Sequence, residues 1–299
     1  MTTKTRPVGS ALGRIYGDAR RVERIAYVIG AVLFVSGLVH VGVLLVSGRS
    51  WVGPVSLRKA ATFGLSFGLT LATVSWVTSF VAMRPRARNL LLGVFSAACV
   101  VETVLVTLQA WRGVPSHFNF ETSFDNTVSM LLAAGGGVII VTVLGFTGAA
   151  LSGASALSPS MRLAVRFGFF VLLVALATGA VMIARGVVEA RGGDAQLAYT
   201  TAGALKPLHA VAMHAILVLP GLAWLLRFTD WSEQRRTRLV WVAIAADTVL
   251  TAIVGAESLD DVSPLAAPVF ATIPSALALA VLVATGVAAV RGVLRNSAA

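Results

Sequence analysis

Runs of about twenty apolar residues recur along this chain from end to end. Each is long enough to cross a hydrocarbon core of ~30 Å as a helix. A transmembrane β-barrel would show short alternating segments instead. The pattern therefore predicts an all-α integral membrane protein. Eight spans fall at roughly 25–47, 60–83, 89–111, 127–151, 163–184, 207–228, 238–258 and 267–290. Composition agrees: 57% of residues are hydrophobic and 12% charged, where a soluble domain carries about 25% charged residues.

The segments between spans are short. The longest, 185–206, leaves no room for a soluble domain. The expected organisation is a basic cytoplasmic tail at 1–24, a first half of four spans at 25–151, a cytoplasmic linker at 152–162, a second half at 163–290 and a tail at 291–299. The apolar run after the first tail is long and has no small-residue cleavage site behind it, so it reads as a span and not as a removed signal. One cysteine, Cys99, excludes a disulfide within the chain and a Cys-rich metal site.

The net charge is +11. Its distribution explains it as topology. With the N-terminus inside, 17 of the 24 Lys and Arg residues fall on the cytoplasmic side and 7 opposite. That bias puts both termini in the cytoplasm of a cell carrying this protein in its inner or plasma membrane. Nucleic acid is not an expected partner; the lipid bilayer is. Nothing in the sequence fixes an oligomeric state.

Only three of the basic residues are lysines, and Lys59 and Lys206 each stand at the start of a span. Sliding the chain by about 147 residues places one on the other, brings Trp76 beside Trp224, and sets Glu102 within two residues of Asp247. Two four-helix halves in one orientation, a parallel repeat, would give this register. Chance alignment of apolar text would give it too.

Ionisable groups inside spans are expensive in lipid and face a bundle interior or a cavity. Glu102 lies in mid-span with Cys99, Val106, Gln109 and Gly113 on its helical face. Asp247 has Thr251 and Ser258 on its own face. His40 lies between Ser36 and Ser47. The ridge Ala60, Gly64, Gly68, Ala72 reads as close helix packing. All four histidines, His40, His117, His209 and His214, fall in the outer half by this topology, with Arg58, Lys59, Arg112, Asn119 and Lys206. His209 and His214 are five apart, so they cannot share a ligand on a straight helix. Asn119 reads as a turn residue or a helix cap. Pro220 should kink the sixth span or open its bonding.

Each group also has a plain structural role: lysines anchor helix ends, and buried carboxylates tie helices together. Phosphate-binding glycine loops, a nucleophile elbow and the His-rich boxes of diiron oxygenases are absent. The segments "RKAATFGLSFG", "QAWRGVPSHFN" and "KPLHAVAMHAILVLP" together resemble a group of bacterial multi-pass membrane proteins. That resemblance spans about half the chain and implies no reaction.

The function expected from the residues is a polar pocket in the outer half of the bundle. It would bind a small anionic or amphipathic ligand such as a lipid, a polyprenyl phosphate or a quinone. Arg58, Lys59, Arg112 and Lys206 would hold the head group. Gln109, Asn119, His40, His214 and Asp247 would complete the binding set, and Glu102, His117 and His209 would move protons. Three alternatives stand beside it: a haem b redox protein with His40 and His214 as axial ligands, a secondary transporter, and a non-catalytic assembly subunit. No metal other than haem iron is expected.

Overall fold

The computed structural model describes residues 8–152, 157–193, 197–198, 203–263 and 267–298. Lys4 and Arg6 of the basic tail, and residues 153–156 of the linker, lie outside them. Among the described residues there are nine helices and no strand. They are α1 (Val8–Gly17), α2 (Arg21–Ser47), α3 (Arg58–Ser79), α4 (Pro85–Arg112), α5 (Ser123–Ser152), α6 (Pro159–Arg191), α7 (Lys206–Leu226), α8 (Glu233–Leu259) and α9 (Val269–Ala298). Eight of them, α2 to α9, are long and apolar enough to cross a membrane. The chain has the architecture of a multi-pass membrane protein.

Three boundaries differ from expectation. The first tail contains the short helix α1. The fifth span continues to Arg191, so Arg185 and Arg191 stand on a helix and not in a loop. Gly186 does not break it, because the space left by its missing side chain is filled by the ring of Phe118. The last helix runs past Arg291 and Arg295. Pro220 stays inside α7, and the helix continues through it.

The first and last described helices, α1 and the end of α9, lie at one face of the bundle, the terminal face. There Glu23 of α2 pairs with Arg88 of α4 at 3.2 Å, both side chains buried. Arg88 also donates to the carbonyls of Thr78 at 2.6 Å and Val81 at 2.7 Å. The guanidinium thus bonds α2 and the last turn of α3. Asn296 near the C-terminus donates to the Phe228 carbonyl at 2.9 Å. The opposite, distal face carries the loops 48–57 and 113–122.

Small residues set the closest helix contact. A Cβ on Gly37 of α2 would stand 2.5 Å from the Leu65 nitrogen, and one on Gly64 of α3 would stand 2.6 Å from the Gly37 nitrogen. Gly30 and Gly68 meet in the same way one level further along. The small-residue ridge of α3 is therefore the seat of α2. Toward the terminal face the rings of Phe95, Phe146 and Phe169 form a chain across α4, α5 and α6, with centroids 6.1 and 6.4 Å apart.

The neighbour pattern of the first half recurs in the second, where α9 additionally packs on α7. In the first, α2 packs on α3 and α4, α3 on α4, and α4 on α5. In the second, α6 packs on α7 and α8, α7 on α8, and α8 on α9. The halves join through α5 with α6 and through α3 with α7. Trp76 of α3 and Trp224 of α7, neighbours in the 147-residue register, meet edge to face at 6.2 Å.

Candidate functional site

The distal face gathers several of the expected residues, by three separate devices. The first is the 113–122 loop. Gly113 ends α4 in the left-handed region, with φ 70°. Ser116, His117 and Phe118 then cross the end of the bundle. Phe118 takes φ 60°, unusual for a residue with a side chain. Its ring enters the notch at Gly186 of α6 and packs with Met182, Ile183 and Val187. Asn119 holds the next turn: its N–H donates to the Ser129 hydroxyl at 3.2 Å, and its Oδ1 accepts from the Glu121 N–H at 3.2 Å. Asn119 is a loop brace, and the helix begins later, at Ser123.

The second device is the anchor of that loop. Gln109 donates to Asp125 Oδ1 at 2.8 Å, and Thr122 donates to Oδ2 at 2.7 Å. Arg112 bonds the same carboxylate at 2.5 Å and also reaches Gln109. Asp125 is buried. Arg112 and Gln109 are therefore occupied with Asp125, which the sequence reading did not single out. Its only signal was an acid in the first turn of a helix, thirteen residues after an arginine.

The third device is the pair of helix starts. Lys59 is the second residue of α3 and Lys206 the first of α7, one from each half. Their charges act on each other and on His117, and Arg58 lies within the same electrostatic reach. His117 packs on Phe63 of α3 with ring centroids 5.7 Å apart. Its Nδ1 shares a hydrogen bond of 2.9 Å with the Ser116 hydroxyl. Its Nε2 makes no hydrogen bond to any described residue. Withdrawal from water, then the charges of Lys59 and Lys206, push the imidazole down from 6.5 to about 3. His117 is thus neutral near pH 7 and able to give or accept one hydrogen bond.

The remaining residues lie elsewhere. His40 accepts from the Trp111 indole N–H at Nε2, 2.9 Å away. Indole only donates, so Nδ1 carries the proton and donates to the Ser36 carbonyl at 2.7 Å. Both ring nitrogens are engaged. His214 faces outward from the bundle and bonds its own helix at the Ala210 carbonyl, 2.6 Å away. His209 turns from α7 to α6, where its Nδ1 meets the Ala175 carbonyl at 2.7 Å. Glu102 is buried against α5, and its carboxylate occupies the space a side chain on Gly135 would need. It lies ten residues before Arg112, roughly 15 Å below the end of α4 at 1.5 Å per residue. Asp247 is buried in α8.

No family model, curated protein or solved structure matches the chain. The reading of the site therefore stands on these residues.

Proposed function

We propose that the chain is a membrane-embedded binding protein that holds the anionic head group of an amphiphile at its distal face. Lys59 and Lys206 would flank the head group, Arg58 would stand at its rim, and His117 Nε2 would give it a hydrogen bond. The observation that carries this reading is the approach of two lysines, from helices at matching positions in the two halves, to one neutral histidine. Two ammonium groups near each other repel, and an anion between them turns that repulsion into attraction. The apolar outer surface of α2 and α9 would accept the ligand's hydrocarbon tail. A phosphate-headed lipid or polyprenyl phosphate suits two cations better than a quinone does.

Arg112, Gln109 and Asn119 support the loop that carries His117 and need not touch the ligand. Glu102 lies too deep to exchange a proton with a head group at the helix ends, so no reaction is assigned. A haem held by His40 and His214 finds no support in their hydrogen bonds. The charge bias supports a distal face outside the cytoplasm of the cell, with both termini within it. The recurring neighbour pattern supports a parallel repeat of two four-helix halves.

Mass spectrometry of lipids that co-purify with the full-length protein tests the proposal. An anionic lipid at about one per chain, lost when both Lys59→Gln and Lys206→Gln are present, is the expected result. Equal lipid content in the folded double variant would overturn it.

A further inference from the structure

A second group of polar atoms lies apart from the lysines, along α8 and α9. Asp247, Thr251 and Ser258 fall on one stripe of α8 at spacings of four and seven residues. Asp247 and Ser258 are 4% and 1% exposed. Asp247 Oδ2, Thr251 Oγ1 and Ser258 Oγ are all buried without a hydrogen-bond partner among the described residues. So are Glu257 Oε2, in the last turns of α8, and Ser275 Oγ on α9. Buried polar atoms are almost always paired, and a run of orphans points to something bound that bonds them.

The depth of these atoms is ordered. α8 and α9 form an antiparallel pair joined at the distal face. Counting at 1.5 Å per residue from that end, Thr251 and Ser275 lie within roughly 3 Å of one level, and Asp247 about one turn deeper. Ser258 and Glu257 lie between them and the distal surface. Pro274 has no N–H, so the Phe270 carbonyl on α9 also lacks its helical donor. All of these orphaned groups are oxygens; two belong to carboxylates, Asp247 and Glu257, and of the three deepest, Asp247, Thr251 and Ser275, only Asp247 carries a charge. Hard oxygen ligands with a single negative charge suit a small monovalent cation.

We infer that Asp247, Thr251 and Ser275 bind a sodium ion, reached from the distal face past Ser258 and Glu257. The site is independent of the head-group proposal, since it uses other helices and the opposite charge. Neither site's failure bears on the other.

The test is equilibrium binding of radioactive sodium to the full-length protein in detergent, at constant ionic strength set with choline chloride. About one ion per chain is expected, displaced by unlabelled sodium but not by choline. Asp247→Asn should weaken binding at least tenfold. Thr251→Val and Ser275→Ala, which leave no carboxylate unpaired and are gentler on folding, should each weaken it several-fold. Absence of saturable binding to the unaltered protein would overturn the inference. Unchanged binding in folded Thr251→Val and Ser275→Ala protein would overturn it as well, whatever the fate of Asp247→Asn.

Discussion

At the scale of single residues, the polar groups of this protein divide by whether their partners lie within the chain. Glu23 and Arg88 are paired and buried, and the guanidinium is also held by two carbonyls. Replacing Glu23 with Gln leaves a buried cation without its counter-charge, which costs about 3 kcal/mol. The expected result is a clear drop in the thermal midpoint of Glu23→Gln protein in detergent. His117 behaves differently. Its folded value of about 3 lies below the ordinary 6.5, so unfolding takes up a proton between those two pH values. Its contribution to stability is therefore full above pH 6.5 and falls as pH drops below it. Thermal melts of the ligand-free protein at pH 7.5 and 5 should show a smaller acid loss in His117→Gln than in the unaltered chain. Equal losses would mean that His117 is not held neutral.

Elements bring in what single residues cannot show. The spans were legible because apolar length alone specifies a crossing helix, and the α3 ridge was legible because small residues at every fourth position mark a close contact. The placement of Lys59 and Lys206 at two helix starts was legible, through their rarity and matched positions. Arg112 and Gln109 were assigned to a ligand because their chemistry suits one. Their actual partner, Asp125, belongs to the next helix, and only the turn of the 113–122 loop brings it there. His40 belongs to the expected binding set, and to the haem alternative as an axial ligand, for the same reason; Trp111, 71 residues away, donates to its Nε2. Two substitutions test the packing. Gly64→Val places a side chain on the Gly37 backbone, where neither helix can give way. Overpacking of this kind costs about 1–3 kcal/mol, and a lowered thermal midpoint should report it. Gly186→Val fills the notch that receives the Phe118 ring. It should release the 113–122 loop, seen as faster hydrogen exchange at 114–120 with the spans unchanged. Unaltered exchange there would show that the notch does not hold the loop.

For the whole molecule, the question is how two similar halves make one asymmetric protein. Their neighbour patterns agree except that α9 also packs on α7, and they meet along α3 and α7, with Trp76 on Trp224 near the terminal face. The polar contents diverge: Glu102 rests against glycine in α5, while Asp247 shares a stripe of α8 with the hydroxyls of Thr251 and Ser258. The charge bias predicts an orientation with the distal face outside the cytoplasm. In Cys99→Ala protein, a cysteine at Ser50 should react with a membrane-impermeant thiol reagent added to intact cells, and one at Arg84 should not. The reverse pattern would invert the topology and put the lysines on the cytoplasmic side. The proposed anion site would be a single one, shared by a lysine from each half. Calorimetric titration of the purified full-length protein with farnesyl phosphate, with farnesol as the uncharged control, measures it most directly. The predicted result is one phosphate-dependent site per chain, weakened at least tenfold by Lys59→Gln alone and by Lys206→Gln alone. No saturable binding, or two independent sites each lost with one lysine, would contradict it.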